Sequence, residues 1–403
     1  MGSSLPLHLD HSGSKNTFGP APPSLYFAEL LSHISSISLL IKTPANSQFI
    51  PARLEFPYEG SSYVTLVYIS GAKTQISLPV PFTPSLALTR QSLTQEVLRD
   101  PCNIRVSIKA EDQRLRIQPH ETAGARKTGK LFAHTDKEEY VPLNAKTMGS
   151  MKSGDLKCAQ CGAVVVRNAT QSLHWNPLPS ETWAEMMDFW HCHKPSEPKA
   201  GAAHDQFNKS YTVSKFVPTK ETAFVGLTYF LIDSTSLGNT QTIDSSLNCT
   251  SCKTNLGVQD SPTSFKIFKW NVNLSETSPV SPFYYVSAEI NELIAAHGVY
   301  TFALSTDNKT DAKLVLWVVN SNIHYTCTGS NSRKAFRVLY NSDKPEIPNL
   351  IKERGNDAVE QITVPDFVLE SLESHLKSGN NLLQDSTQSN KWKVSVLDKY
   401  SSL

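Results

Sequence analysis

The chain of 403 residues reads as a mainly β, α+β protein, and three features carry that expectation. Short runs of β-branched and aromatic residues, cut by Pro and Gly, fill its first part; two Cys-x-x-Cys knuckles placed to feed hairpins occupy the middle; helical periodicity alternates with apolar strands in the last third. One core seldom serves a chain this long. It is expected to divide into a tail at 1–22, an N-terminal antiparallel β domain at 23–150, a zinc-binding region at 151–260 and a C-terminal α+β region at 261–403.

Residues 1–22 are polar, with Gly, Ser, Pro and His interspersed, and hold too little apolar surface to order themselves. Strand character appears at 36–41, 52–56, 62–70, 74–80 and 104–108, the pattern of an antiparallel sandwich or barrel. From 111 to 150 the chain is charged and weakly periodic, so a solvated loop is expected. Ser180 can cap a helix reaching Trp190, because Trp183, Met186, Met187 and Trp190 stand at i, i+3, i+4 and i+7 and form one apolar stripe. Pro195 ends it. Further on, 287–296 reads as a helix capped by Ser287 and stopped at Gly298, and 315–319 as an apolar strand. Phe367, Leu369, Leu372 and Leu376 mark a helix closing at Gly379, followed by a loose loop at 380–390 and a last strand around Val394, Val396 and Tyr400. Trp270, Trp317 and Trp392 are read as core or sheet-face residues.

The knuckles are Cys158-Ala-Gln-Cys161-Gly162 and Cys249-Thr-Ser-Cys252, which supply four of the seven cysteines. Four thiolates match the tetrahedral, sulfur-rich preference of a single structural Zn²⁺. With Cys161 and Cys249 standing 88 positions apart, such an ion would clamp distant segments together. Gly162, and Leu256-Gly257 after the second pair, suit tight turns that feed hairpin strands. Free buried thiols or redox pairs are the plainer alternative.

A net charge of +1 and a pI near 7.6 give no electrostatic case for nucleic acid or an anionic membrane as main partner, which points to a protein partner. No stretch approaches the roughly 18 apolar residues of a membrane span, and the start lacks a charged segment followed by an apolar core. A soluble intracellular chain is expected, in keeping with an odd cysteine count and two metal-type pairs. Five Asn-x-Ser/Thr sequons are read as chance. There is no phosphate-cradling Gly loop, no Gly-x-Ser-x-Gly elbow and no His-Glu-x-x-His, which removes kinase, hydrolase and metalloprotease readings.

His191, Cys192 and His193 lie at the end of the Trp-rich helix, and three consecutive residues cannot all chelate one ion from a helix. They can complete the zinc sphere, form a reactive thiol beside imidazolium, reach into the metal site of a partner, or be a buried cysteine between surface histidines. A small-ligand pocket framed by Trp175, Trp183 and Trp190 is a further option.

The string Leu178-Pro-Ser-Glu-x-Trp183, then Trp190-x-Cys192-His193, together with the flanking knuckles, resembles the HECT-like, E2-binding ubiquitin-protein ligase family. Segments 314–320, 323–326 and 334–340 look like the C-terminal strands of that family, so the likeness spans about 25–400. Two functions are implied. One is ubiquitin transfer from an E2 through a thioester cysteine. The other, known from fungal members that support mRNA cleavage and polyadenylation, is non-catalytic binding of the zinc-dependent, metallo-β-lactamase-fold endonuclease of 3′-end processing. A HECT thioester cysteine sits in a Thr-Cys turn preceded by Leu-Pro and followed by Phe. Only Tyr325-Thr326-Cys327-Thr328 echoes it, without the Leu-Pro or the Phe, at what reads as a strand end. Cys192, flanked by histidines, is the better nucleophile candidate, and Cys102 sits in a plain Pro-Cys-Asn turn. For the binding function, Trp190, His191, Cys192 and His193 form the partner-binding segment, since a thiolate and an imidazole are ligands a nuclease zinc would accept. The resemblance implies a cytoplasmic chain with the nucleus as a second compartment.

Overall fold

A computed structural model describes residues 25–31, 34, 36–44, 49–56, 60–82, 90–109, 140–151, 154–167, 169–179, 216–275, 277–306, 311–383 and 391–401. These fall into two compact units, one holding 25–109 with 324–332, the other 140–323 with 333–401.

The first unit contains β1 (Leu25–Leu31), β2 (Ser36–Lys42), β3 (Pro51–Glu55), β4 (Ser61–Tyr68), β5 (Lys73–Phe82), β6 (Arg90–Ser92), helix α1 (Thr94–Arg99) and β7 (Asn103–Lys109). Strand β2 pairs antiparallel with β1 and with β7, while β5, β4, β3 and β6 form a separate four-stranded sheet in that order. Period-two alternation drives the packing: Ile37, Leu39, Ile41, Ile104 and Ile108 from one sheet meet Leu54, Val64, Leu66 and Ile76 from the other in one core. Of the sandwich or barrel that the strand pattern allowed, two antiparallel sheets over one core make the sandwich. Strand β1 was not legible, because Leu25–Leu31 has no β-branched residue; its seven-position register with β2 holds it extended.

The second unit has α2 (Ala145–Ser150), β8 (Leu156–Cys158), β9 (Val164–Val166), α3 (Ala169–Ser172), β10 (His174–Pro177), β11 (Thr222–Val225), β12 (Tyr229–Asp233), β13 (Thr240–Ile243), β14 (Ser246–Cys249), β15 (Asn255–Ser261), β16 (Ser264–Phe268) and β17 (Val272–Leu274). It continues with α4 (Phe283–His297), β18 (Thr301–Ser305), β19 (Leu314–Cys327) as far as Ile323, β20 (Arg333–Asn341), α5 (Ile347–Arg354), β21 (Val359–Thr363), α6 (Asp366–Leu383) and β22 (Lys393–Asp398). A seven-stranded sheet in the order β10-β11-β12-β16-β15-β14-β13 and the small sheet β17-β8-β9 share one core, in which Phe230, Ile232, Leu256 and Ile267 are fully buried beside Cys158 and Cys249. A second core packs Phe283 and Ile290 of α4 and Leu372 and Leu376 of α6 against Phe302, Leu316, Phe336 and Leu397 of the C-terminal strands.

Several expectations change in detail. The stretch expected as solvated loop at 111–150 ends in structure: Leu143, Ala145 and Met148 enter the core and Asn144 caps α2, its side chain accepting from Thr147 N at 2.8 Å. Residues 110–139 lie outside the described ones. Helix α4 begins at Phe283, four residues before the expected cap, and Ser287 lies inside it, donating to the Asp398 carbonyl at 2.8 Å. Its end at Gly298, left-handed at φ 68°, is as expected. Helix α6 does not stop at Gly379 but runs to Leu383, because tertiary contact requires a glycine inside the helix. A Cβ at 379 would overlap Ser395 Oγ and stand 3.1 Å from Val396 N. Gly379→Ala is therefore expected to cost about 1–3 kcal/mol from overpacking, although alanine normally gains about 1 kcal/mol over glycine in a helix. Gly149→Ala in α2, where nothing lies within 4 Å, should instead stabilise. Urea midpoints of the two variants should move in opposite directions.

Among the described residues, no helix is long and apolar enough to cross a membrane. The Trp-rich helix expected at 180–190 and the tail at 1–22 lie outside the described residues.

Candidate metal centre

The two knuckles adopt the same turn. Cys158 N donates to Ala163 O at 2.8 Å and Gly162 N to Cys158 O at 2.9 Å; in the second, Cys249 N donates to Thr254 O at 2.9 Å and Lys253 N to Cys249 O at 3.0 Å. The fourth residue after each first cysteine is left-handed, Gly162 at φ 75° and Lys253 at φ 63°. Glycine takes that conformation freely, whereas lysine is strained there. The turn glycine expected at Gly257 is a correction: Gly257 lies within β15, and Lys253 occupies the turn position. The equal offset from Cys158 and Cys249 was the available signal.

These turns bring together one sulfur from the end of β8, one from the end of β14 and one from each following loop. All four, of Cys158, Cys161, Cys249 and Cys252, lie within 4.8 Å of one another. Contact runs across the knuckles, Cys158 to Cys252 at 3.7 Å and Cys161 to Cys249 at 3.6 Å. A disulfide would need about 2.05 Å, while sulfurs at about 2.3 Å from a tetrahedral Zn²⁺ stand about 3.8 Å apart. The cysteines are free of disulfides, and their spacing fits one metal ion held by four thiolates. Burial pushes the Cys158 thiol up to about 12, while the hydroxyl and backbone of Thr254 pull Cys252 down to about 6. A divalent cation would supply the charge that lets four thiolates share this space.

Backbone contacts brace the centre. Ala159 N donates to Asn271 O at 2.9 Å, Gly238 N to Val165 O at 2.7 Å, and the Asn239 side-chain amide to Val164 O at 2.8 Å. Asn271 belongs to a 3-10 turn, Lys269–Asn271, whose Lys269 is fully buried, its Nζ donating to Pro142 O at 2.9 Å and lying 5.3 Å from the Phe230 ring centre. Burial drives the Lys269 amine down to about 7 from 10.5. Between those values the unfolded chain holds the proton that the folded one has lost, so this lysine makes stability rise with pH across that window, by up to about 1.4 kcal/mol per pH unit. In Lys269→Met that contribution should vanish. Unfolding free energies of both proteins at about pH 7.5 and about pH 9.5, inside that window, give the difference directly, and parallel curves would contradict the burial argument.

Other sequence candidates are placed as follows. Cys327 ends β19 at 8% exposure, paired with Phe27 of β1, its Sγ 3.1 Å from Ser330 Oγ. Cys102 is half-buried in a turn whose N–H groups at Cys102 and Asn103 both donate to the Asp100 carboxylate at 2.9 Å. Trp190, His191, Cys192 and His193 lie outside the described residues, as do Trp183, Met186 and Met187. Trp175 is core, its Nε1 donating to Ala169 O at 2.8 Å and its ring edge-on to Phe230. Trp317 stacks on the Arg354 guanidinium, 3.2 Å from ring centre to Cζ, and Trp392 flanks the pair.

Four thiols able to hold one metal ion lie between two hairpins of a mainly β chain. The chain belongs to the family described as HECT-like ubiquitin-conjugating enzyme (E2)-binding, which matches residues 29–395. It is similar to an uncharacterized protein of Saccharomyces cerevisiae, 25% identical over 248 residues, covering 60% of this chain and 67% of that protein. An uncharacterized protein of Schizosaccharomyces pombe is 24% identical over 261 residues, 61% of this chain and 73% of that one. An E3 ubiquitin-protein ligase of Rattus norvegicus is 30% identical over 175 residues, which are 41% of this chain and 43% of the rat protein. No solved structure matches the chain. The resemblance read from the Trp-Cys-His string and the knuckles is borne out at the level of family.

Proposed function

We propose that this protein acts by binding, as a zinc-stabilised escort that holds and restrains the metallo-β-lactamase-fold endonuclease of mRNA 3′-end processing, meeting it in the cytoplasm before nuclear assembly. Trp190, His191, Cys192 and His193 are the docking segment, with Cys192 and His193 offered to the nuclease zinc ions. The observation that carries this reading is the state of the described cysteines. Four gather in a cluster able to hold a metal ion, Cys327 is buried at a strand end and Cys102 is half-buried in a Pro-Cys-Asn turn with no base adjacent in sequence, which leaves none of them as a freely accessible, activated thioester nucleophile. A second support is the insertion of the docking segment. Strands β10 and β11 are parallel neighbours, with Leu178 N donating to Val225 O at 2.9 Å and His174 N to Glu221 O at 2.7 Å. The connection that includes 190–193 therefore runs from the C-terminal end of β10 to the N-terminal end of β11, in the sheet that also holds the second knuckle.

The competing reading is a HECT-like E3 that accepts ubiquitin from an E2, favoured by the family description and the name of the rat relative. One experiment separates the two. Wild type and Cys192→Ser are scored side by side for capture of the nuclease subunit and for a thiol-sensitive ubiquitin adduct in the presence of E1 and E2. The escort requires stoichiometric capture by wild type, clearly weakened by the substitution, and no adduct. Undiminished capture by Cys192→Ser would remove the docking role, and an adduct that disappears in that variant would establish the ligase.

A further inference from the structure

We infer that the thiol cluster is also a redox-responsive clamp, in which hydroperoxide oxidation releases the metal but joins the two knuckles covalently as Cys158–Cys252 and Cys161–Cys249. This rests on the metal reading of the same four cysteines. The geometry is asymmetric in accessibility. Each cross-knuckle pair in contact, at 3.7 and 3.6 Å, joins the less buried cysteine of one knuckle, half-buried Cys252 or exposed Cys161, to a buried one, Cys158 or Cys249. A peroxide thus meets Cys161 or Cys252 first, and the nearest buried sulfur is placed to resolve the product.

The chemistry balances without a further reagent. The accessible thiolate attacks the peroxide, the O–O bond breaks, an S–O bond forms and hydroxide leaves to be protonated. The buried thiolate then attacks the sulfenic sulfur, the S–S bond forms and a second hydroxide leaves as water. Each pair consumes one peroxide and two protons; the sulfurs lose two electrons and the peroxide oxygens gain them. Cross-pairing has a structural consequence that pairing within a knuckle lacks. A link from β8 or its loop to β14 or its loop keeps segments tied that are 94 and 88 residues apart in sequence. The hairpins thereby stay clamped after the ion has gone, since closing a long loop constrains the unfolded chain.

The test uses the full chain. Metal content is measured first, and one metal ion per chain is the expected value; a metal-free protein would overturn the metal reading while leaving the disulfide map to be scored. The protein is then treated with hydrogen peroxide, blocked with a thiol reagent and mapped by non-reducing peptide mass spectrometry. Peptides joined as 158–252 and 161–249 are expected, with release of the metal and a thermal midpoint above that of reduced, chelator-treated protein. Links within a knuckle, sulfinic acids without cross-links, or cysteines untouched by excess peroxide would overturn the proposal. Cys161→Ser supplies a second reading, because only the 158–252 link should then form.

Discussion

Cys158→Ser is expected to strip the protein of its metal and to lower the stability of the second unit by more than about 4 kcal/mol, the range reserved for loss of a metal or a similarly exceptional change. Cys158 is 1% exposed and ends the strand β8, so serine leaves a hydroxyl in an apolar core where a sulfur had packed and was placed to ligate. Structural zinc sites contribute on the order of 10 kcal/mol in small domains, against total stabilities of about 5–15 kcal/mol. A strong chelator should reproduce the loss in wild type and do little to the variant, since the two perturbations remove the same clamp. Elemental analysis together with urea unfolding checks both. If Cys158→Ser kept its metal and its urea midpoint, the cluster would be a set of neighbouring thiols and not a metal centre.

Gly257→Ala should show the next largest effect, a destabilisation of about 3 kcal/mol at the upper end of ordinary overpacking. Gly257 lies opposite Ile267 in the β15–β16 pair, and a Cβ added there would overlap the Lys266 carbonyl and come within 3.0 Å of the Ile267 Cα. Backbone cannot rotate away as a side chain can, so β15 must shift. It pairs with β14, whose end carries Cys249, and the shift should therefore also weaken metal retention. Thermal unfolding and metal release to a chromogenic chelator measure the two consequences. Unchanged values of both would show that the approach of β15 to β16 is looser than described.

What could be read in advance followed local chemistry. Cys-x-x-Cys spacing fixes a turn and a pair of sulfurs through a few bonds, so both knuckles were visible before any fold, and their chemistry raised the expectation of a shared ion. Alternating Ile37, Leu39 and Ile41 fixed a half-buried strand in the same way, and Gly298 fixed the end of α4 because only a left-handed residue closes that helix readily. Misreadings had non-local causes. Leu25–Leu31 became a strand because β2 and residues 324–327 pair with it, not because its residues favour one. Gly379 and Gly257 looked like a stop and a turn, yet each is a glycine because another segment comes too close for a Cβ. Likewise Met148 looked like part of a charged loop until its burial in the middle core was known.

By itself the sequence determined which sulfurs share a knuckle, which strands alternate and where the Trp-Cys-His segment falls, since each depends on residues a few positions apart. Only the tertiary structure decided that the knuckles meet across 88 residues, that Lys269 is sealed beneath Phe230 and that Cys327 is covered by β1. Those facts arise from close packing between segments remote in the chain, where one added methyl or one exposed sulfur changes the outcome and no local pattern records it.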